Sequence, residues 1–481
     1  MGMSDSLADF FAFDDYDTNY RTESLAGLTT FLAMAYIVVV NPAILSDAIA
    51  IEGYTDTEIF QMLAIVTILS SIVATLVMAF YANRPFGLAP GMGLNAFFTY
   101  TVVVVLGVPW ELALAAVFVE GVIFIALTAI GAREYVIELF PEPVKFSVGA
   151  GIGIFLLFLG LQEMELVVPY VDGDGFPDGT LIELGNAIQS PIAALSVLGL
   201  GFTFFLYARG VRGSIVIGII TTALAGWMLT LAGVVRPDVL TPEGAYDDIT
   251  NEGILSMIAS VQYDITPLFS GFVDGLGMIG DDPLVFALVV FTFFFVDFFD
   301  TAGTLIGVSQ FGDFLDEDGD LPEMEKPLMA DAVGTTVGAM VGTSTVTTYI
   351  ESSTGVEEGG RTGLAALVVA IGFLLALAAV PVIAAIPAYA SFIALVVVGV
   401  MMLQGITEVD WGDPAWAVSA GLTVTVMPFA YSIADGLAAG IVSYPLIKVA
   451  MGEGRDVTPG QYVIAALIAA YYVLQTRGVI L

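Results

Sequence analysis

Two carboxylates, Asp297 and Asp300, stand one helical turn apart inside the apolar run FFFVDFFDTAGT. Residues at that spacing lie on neighbouring parts of one helix face. An ionisable side chain in so apolar a segment points to a substrate or proton site; the plainer alternative is that each carboxylate accepts hydrogen bonds from facing hydroxyls or amides. Glu351 lies in a second unusual stretch, GTSTVTTYIESSTG at 342–355, where a carboxylate would meet a planar ligand bearing N–H donors or would simply cap a helix. Asn95, in GLAPGMGLNAFF at 87–98, donates and accepts at once, which suits the edge of a base, although Asn in a Gly-rich turn also serves the backbone. Glu120, within VFVEGVIF, reads equally as a proton relay and as a hydrogen-bonded packing residue. Asp331 and Asp435 fall near the expected ends of spans, where a solvated or capping role is the expectation. The chain has no histidine and no cysteine, so proton chemistry must use carboxylates, and disulfides and thiolate metal sites are excluded. No cofactor or metal is expected.

These residues must be held by membrane-embedded elements. Of the 481 residues, 58% are hydrophobic and 13% charged, far from the composition of a soluble domain. Apolar runs at 25–45, 63–82, 111–131, 191–208 and 213–233 are each long enough as helices to cross a hydrocarbon core of roughly 30 Å. The fold class expected is an all-α polytopic membrane protein. The segments 87–98 and 342–355 break the helical pattern at corresponding places, in the third and tenth spans. Unwound backbone at membrane depth survives only where protein or a water-filled cavity satisfies it, so both point to the binding site. Helices resuming near Asn95 and Glu351 would aim two positive N-termini at one cavity.

The formal net charge is −37, from 49 acidic and 12 basic residues. Acidic residues gather in loops: Asp14, Asp15 and Asp17; Asp172, Asp174 and Asp178; Asp313, Asp316, Glu317, Asp318 and Asp320. The last cluster lacks the residue order of a calcium loop, and a solvated acidic surface suited to molar salt explains it better, which points to a halophile. Such a surface argues against a nucleic-acid partner. The acidic N-terminus does not fit a cleaved signal, so the first span is expected to be retained. Placing basic residues inside puts the N-terminus in the cytoplasm, with Arg21, Arg84, Arg133, Lys145, Arg209, Arg212, Lys326, Arg361, Lys448 and Arg455 agreeing and Arg236 and Arg477 dissenting. Seven spans then reverse the orientation of the second half, as an inverted repeat over 25–233 and 284–450 requires. The apolar run 460–477 is either an extra span or an interfacial helix.

The segments GLTTFLAMAYIVVVNPAIL (27–45), APGMGLNAFFTY (89–100), FFFVDFFDTAGTLIGV (293–308) and ADAVGTTVGAMVGTSTVTTYIESSTGVEEGGRTGL (330–364) resemble the AzgA-like purine permeases of the nucleobase:cation symporter and nucleobase-ascorbate transporter (xanthine/uracil permease) group. The resemblance covers nearly the whole chain. It implies about fourteen spans as two inverted sevens, divided into a core domain (22–142 and 284–382) and a gate domain (143–283 and 383–481). It also implies an elevator-like shift of core against gate in the cell membrane, a possible homodimer through the gates, and proton-coupled uptake of hypoxanthine, guanine or adenine. Ligand contacts would come from Asn95, Asp297, Asp300 and Glu351, with Asp297, Glu351 and Glu120 as candidates for proton coupling. Aromatic residues such as Phe294, Phe298 or Tyr349 could stack on the face of a base, although aromatic residues in spans more often serve packing. Sodium-coupled xanthine or uracil transport and an inorganic-anion carrier of the same fold are the alternatives, the paired carboxylates speaking against an anion. An intramembrane aspartyl protease is disfavoured because the Gly-Asp pairs at 280–281 and 312–313 fall in loops.

Overall fold

Lipid offers the backbone no hydrogen bonds, so apolar runs close their own as helices. The computed structural model describes residues 3–131, 140–171, 177–242, 245–246, 250, 263–312, 314–316 and 321–476. Among them, ten helical stretches are long and apolar enough to cross a membrane. A short helix α1 (Met3–Phe10) leads into α2 (Tyr20–Met34) and α3 (Ile37–Leu45), one span interrupted at Ala35 and Tyr36. Then come α4 (Asp56–Ala82), strand β1 (Leu88–Pro90), α5 (Met92–Val105), α6 (Trp110–Ala129) and α7 (Glu142–Glu163). A hairpin of β2 (Val167–Val171) and β3 (Pro177–Leu184) precedes α8 (Pro191–Ala208) and α9 (Ser214–Leu231).

The second half runs α10 (Thr266–Met278), α11 (Pro283–Phe311), α12 (Glu325–Val341), strand β4 (Val346–Thr348) and α13 (Ser352–Glu357). It ends with α14 (Gly363–Ile383), α15 (Ala388–Glu408), α16 (Pro414–Phe429), α17 (Ile433–Ala450) and α18 (Pro459–Thr476). Caps fix where helices start. Thr55 and Glu58 form a reciprocal capping box before α4, and Asp282 and Asp413 accept from the first free amides of α11 and α16.

Helices α3, α4, α11 and α12 touch the β1–β4 pair, α6 and α10 pack on α12, α14 packs on α4 and α2 on α14, while α7 packs on α15 and α16, α16 on α17, α17 on α18, and α8 on α9. Small residues permit the close approaches. On α8 and α9, a Cβ at Gly218 would stand 1.9 Å from the Thr203 hydroxyl and one at Gly199 would stand 2.2 Å from that of Thr222. At Gly121 a Cβ would meet the Thr336 hydroxyl at 2.6 Å and its amide nitrogen at 2.9 Å. Glycine there lets α6 lie directly on α12 and sets Glu120 against that helix.

Basic side chains gather at one end of the α2–α14 group. The guanidiniums of Arg84 and Arg361 lie 5.3 and 5.8 Å from the centre of the Phe314 ring, Arg84 donates to the Pro322 carbonyl at 3.0 Å, and Arg212 pairs with Glu358. Arg133, Arg477, Asp172, Asp174, Asp313, Glu317, Asp318 and Asp320 lie outside the described residues.

Candidate functional site

The two broken segments meet. β1 and β4 pair antiparallel, with Leu88 opposite Thr348, Ala89 opposite Thr347 and Pro90 opposite Val346. The pairing extends through Tyr349 N donating to the Gly87 carbonyl and Gly91 N donating to the Thr345 carbonyl, both at 3.0 Å. The Gly87 amide donates to Ser352 Oγ at 3.0 Å, and Thr75 Oγ1 both accepts from Leu88 N and donates to its carbonyl at 3.1 Å. Extended backbone is thereby satisfied deep in the protein, where every residue of both strands is buried. The half-helices resume at Met92 and Ser352, close to the expected positions. α13 has six residues, too few aligned peptide dipoles to match the field of a long helix.

Glu351 stands just before α13, 7% exposed, and makes no side-chain capping bond. It accepts instead from the Tyr36 hydroxyl at 2.5 Å. Tyr36 sits at the α2–α3 interruption, and its ring centre lies 6.4 Å from that of Tyr349, whose hydroxyl donates to the Pro90 carbonyl at 2.5 Å. The Asp300 charge acts on both Tyr349 and Glu351, and Asp300 keeps partial exposure. Asn95, fully buried on α5, accepts from Ser344 Oγ, and its Nδ2 has no partner. Tyr36, Asp300, Tyr349 and Glu351 thus gather beside the strand pair, and the Asn95 amide ties α5 to the residues leading into β4.

The Asp300 charge also acts on Asp297, which stands beside Glu120 of α6. Asp297 and Glu120 are both fully buried, they face one another and Asp331, and none of their carboxylate oxygens has a hydrogen-bond partner. The expectation of a solvated or capping Asp331 is corrected here. Because α12 begins at Glu325, Asp331 is almost two turns inside it and fully buried, with Oδ1 accepting from Thr301 Oγ1 at 2.8 Å and from Thr348 N at 3.0 Å. Thr301 Oγ1 also lies 2.6 Å from Thr347 Oγ1. Asp435 is half-buried in the first turn of α17 and accepts from the Tyr472 hydroxyl.

Two of the suggested stacking residues are packing residues. Phe294 and Phe298 lie 5.8 and 5.7 Å from Phe124 on α6, centre to centre. Tyr36 escaped the sequence reading, and its signal was a phenol at the edge of a valine run inside a span. An apolar crevice of about 720 Å3, lined by Phe97, Phe295, Ile441, Ile468 and Tyr472 among others, separates α5 and α11 from α16, α17 and α18. Among the described residues no group of three or more His, Cys, Asp or Glu side chains has the arrangement to hold a metal ion.

A model described as "Permease family" (Xan_ur_permease) matches residues 21–438. The adenine permease AdeP of Escherichia coli is 36% identical over 95% of this chain and 94% of its own length. The guanine/hypoxanthine permease PbuG of Bacillus subtilis is 36% identical over 96% of this chain and 99% of its own. Among solved structures, the transmembrane domain of the cyanobacterial bicarbonate transporter BicA superimposes with a TM-score of 0.53, covering 88% of this chain and 98% of that one, at 16% identity. That last likeness is one of fold.

Proposed function

The chain belongs to the xanthine/uracil permease family and is a multi-pass membrane transporter, and on that premise we propose that it carries purine nucleobases such as hypoxanthine, guanine and adenine. The observation that carries this reading is the set of complementary groups at the broken spans. Carboxylates of Glu351 and Asp300 accept from ring N–H donors, and the unpartnered amide of Asn95 answers a carbonyl or ring nitrogen. The Tyr36 hydroxyl fixes Glu351 without neutralising it by a cation. An anionic cargo would be repelled by the same carboxylates, which weighs against an inorganic-anion carrier of the shared fold.

The coupling ion in this proposal is the proton, with sodium the alternative in a salt-adapted chain. Asp297, Glu120 and Glu351 are the candidates to carry it, and no cofactor takes part. In this proposal α2–α6 and α11–α14 form the core and α7–α10 and α15–α18 the gate, in an elevator-like exchange within a fourteen-span inverted repeat. The clustering of Arg84, Arg212 and Arg361 at one end supports a cytoplasmic N-terminus. A homodimer through the gates belongs to the same proposal.

The test is uptake of labelled hypoxanthine into proteoliposomes in molar salt, with and without an inward proton gradient, for wild type and Glu351→Gln. Uptake that requires the gradient and is lost in the variant supports the reading. Folded protein that moves no purine would overturn the cargo assignment.

A further inference from the structure

What the amide of Asn95 can read in a cargo depends on which way round it stands, because its oxygen accepts and its nitrogen donates. Its neighbours fix the choice. Asn95 and Ser344 are both fully buried, and the Ser344 hydroxyl donates to Asn95 Oδ1. A serine hydroxyl has one hydrogen, and among the described residues no other acceptor takes it, so it goes to the amide oxygen. Were the amide turned over, that hydrogen and Oδ1 would both be left buried and unpaired, which is costly for each. The nitrogen is therefore the free end, and Nδ2 is buried with no partner. Thr99, one turn further along α5, does not serve it, since its own hydroxyl is also buried and unpartnered.

Ser344 is itself held on both sides. α12 stops at Gly342, whose backbone is left-handed with φ of 104°, and the Thr343 amide turns back to the Gly338 carbonyl at 2.9 Å. Asn41 of α3 donates to Thr343 Oγ1 at 2.9 Å and to Thr67 Oγ1 of α4 at 2.6 Å. Thr67 commits its own hydrogen to the Leu63 carbonyl at 2.6 Å, so toward Asn41 it can only accept. On the far side of Ser344, the Thr345 carbonyl accepts from Gly91 N at 3.0 Å, and the Gly91 carbonyl accepts from Asn95 N at 2.8 Å. Donor and acceptor are thus anchored on the same glycine.

We propose that Ser344 is a positioning residue that sets specificity: by holding Oδ1 of Asn95 it turns the NH2 group toward cargo, so that the transporter takes 6-oxopurines in preference to 6-aminopurines. This rests on the purine reading above and narrows it. Hypoxanthine and guanine carry at C6 a carbonyl that accepts, beside an N1–H that donates to a carboxylate. Adenine carries an amino group there, which donates, beside a bare N1. Asn95 stands past the Pro90–Val346 end of the strand pair and Glu351 past the Leu88–Thr348 end, so donor and carboxylate approach cargo from two directions. A 6-carbonyl completes the Asn95 bond, whereas a 6-amino group sets donor against donor and leaves buried groups unpaired.

The experiment uses the full chain in proteoliposomes loaded with hypoxanthine, with no ion gradient. It reads counterflow of labelled hypoxanthine against external hypoxanthine, guanine, unsubstituted purine and adenine as competitors. In wild type, adenine is expected to compete about tenfold more weakly than hypoxanthine, with guanine close to hypoxanthine and unsubstituted purine, which has only hydrogen at C6, in between. Ser344→Ala frees the amide to turn over, so hypoxanthine competes more weakly, adenine more strongly, and their ratio falls to about threefold or less. Ser344→Thr keeps the hydroxyl and keeps the wild-type ratio. A role confined to packing would weaken all four bases alike and leave the ratio unchanged. Wild-type adenine that matches hypoxanthine, or a wild-type ratio in folded Ser344→Ala, overturns the proposal, and the wild-type series carries the test if the Ala variant does not fold. Absence of counterflow with any purine in folded wild type overturns the purine reading itself, and this inference with it.

Discussion

The Tyr36–Glu351 contact joins the first span to the segment between β4 and α13 through one hydrogen bond of 2.5 Å between two buried side chains. A hydroxyl donating to a carboxylate is a charge-assisted bond, worth about 1.5–3 kcal/mol. In the proposed purine site its role is positional: it holds one oxygen of Glu351, and the other is the one offered to cargo. Tyr36→Phe keeps the ring against Tyr349 and removes only the donor. The expected outcome is a rise in KM for purine uptake of about tenfold, the factor that roughly 1.4 kcal/mol represents, with a smaller change in maximal rate. Uptake kinetics that match wild type would show that Glu351 is held by its backbone alone. The Asp331 carboxylate has a comparable duty toward β4, with the Thr348 amide in place of a phenol.

Among elements, the β1–β4 pair was the part of the site most open to sequence reasoning, because GLAPG and GTSTVTT contain residues that neither propagate a helix nor suit lipid. That the two breaks would face one cavity was also inferable, since such interrupted segments line a binding site. Register was not, because it depends on contacts such as Leu88 with Thr348 that lie 260 residues apart in the chain. The true depth of Asp331 was hidden for a related reason: EKPLMADAV begins with two charges and a proline, which reads as a loop yet forms the first turns of α12. Gly121 is where this element geometry is most exposed to test. Gly121→Ala places a methyl carbon against the Thr336 backbone and should cost about 1–3 kcal/mol as overpacking, seen as a lower thermal midpoint together with reduced uptake. Gly149→Ala, on α7 with open space at its Cβ position, should leave both unchanged. Equal effects from the two substitutions would mean that the α6–α12 approach does not matter.

At the scale of the whole molecule, the governing number is the net charge of −37. Acidic groups outside the membrane repel one another, and that repulsion opposes the compact state. Salt weakens it: the screening length is about 3 Å at 1 M and about 10 Å at 0.1 M, so neighbouring loop carboxylates that ignore each other in strong salt interact in weak salt. The membrane-embedded core, held by apolar packing and by buried hydrogen bonds, is screened far less by either condition. The thermal midpoint of the purified protein should therefore fall steadily as salt is reduced from 1 M to 0.1 M, and equally for sodium and potassium chloride, because the effect depends on ionic strength rather than on a bound ion. Sucrose at matching osmolality should not restore it. Mild acidification should, since protonating surface carboxylates lowers the charge that salt would otherwise screen. A midpoint indifferent to salt would separate the acidic surface from stability. A response to sodium alone would instead point to a specific cation site and bring sodium forward as the coupling ion.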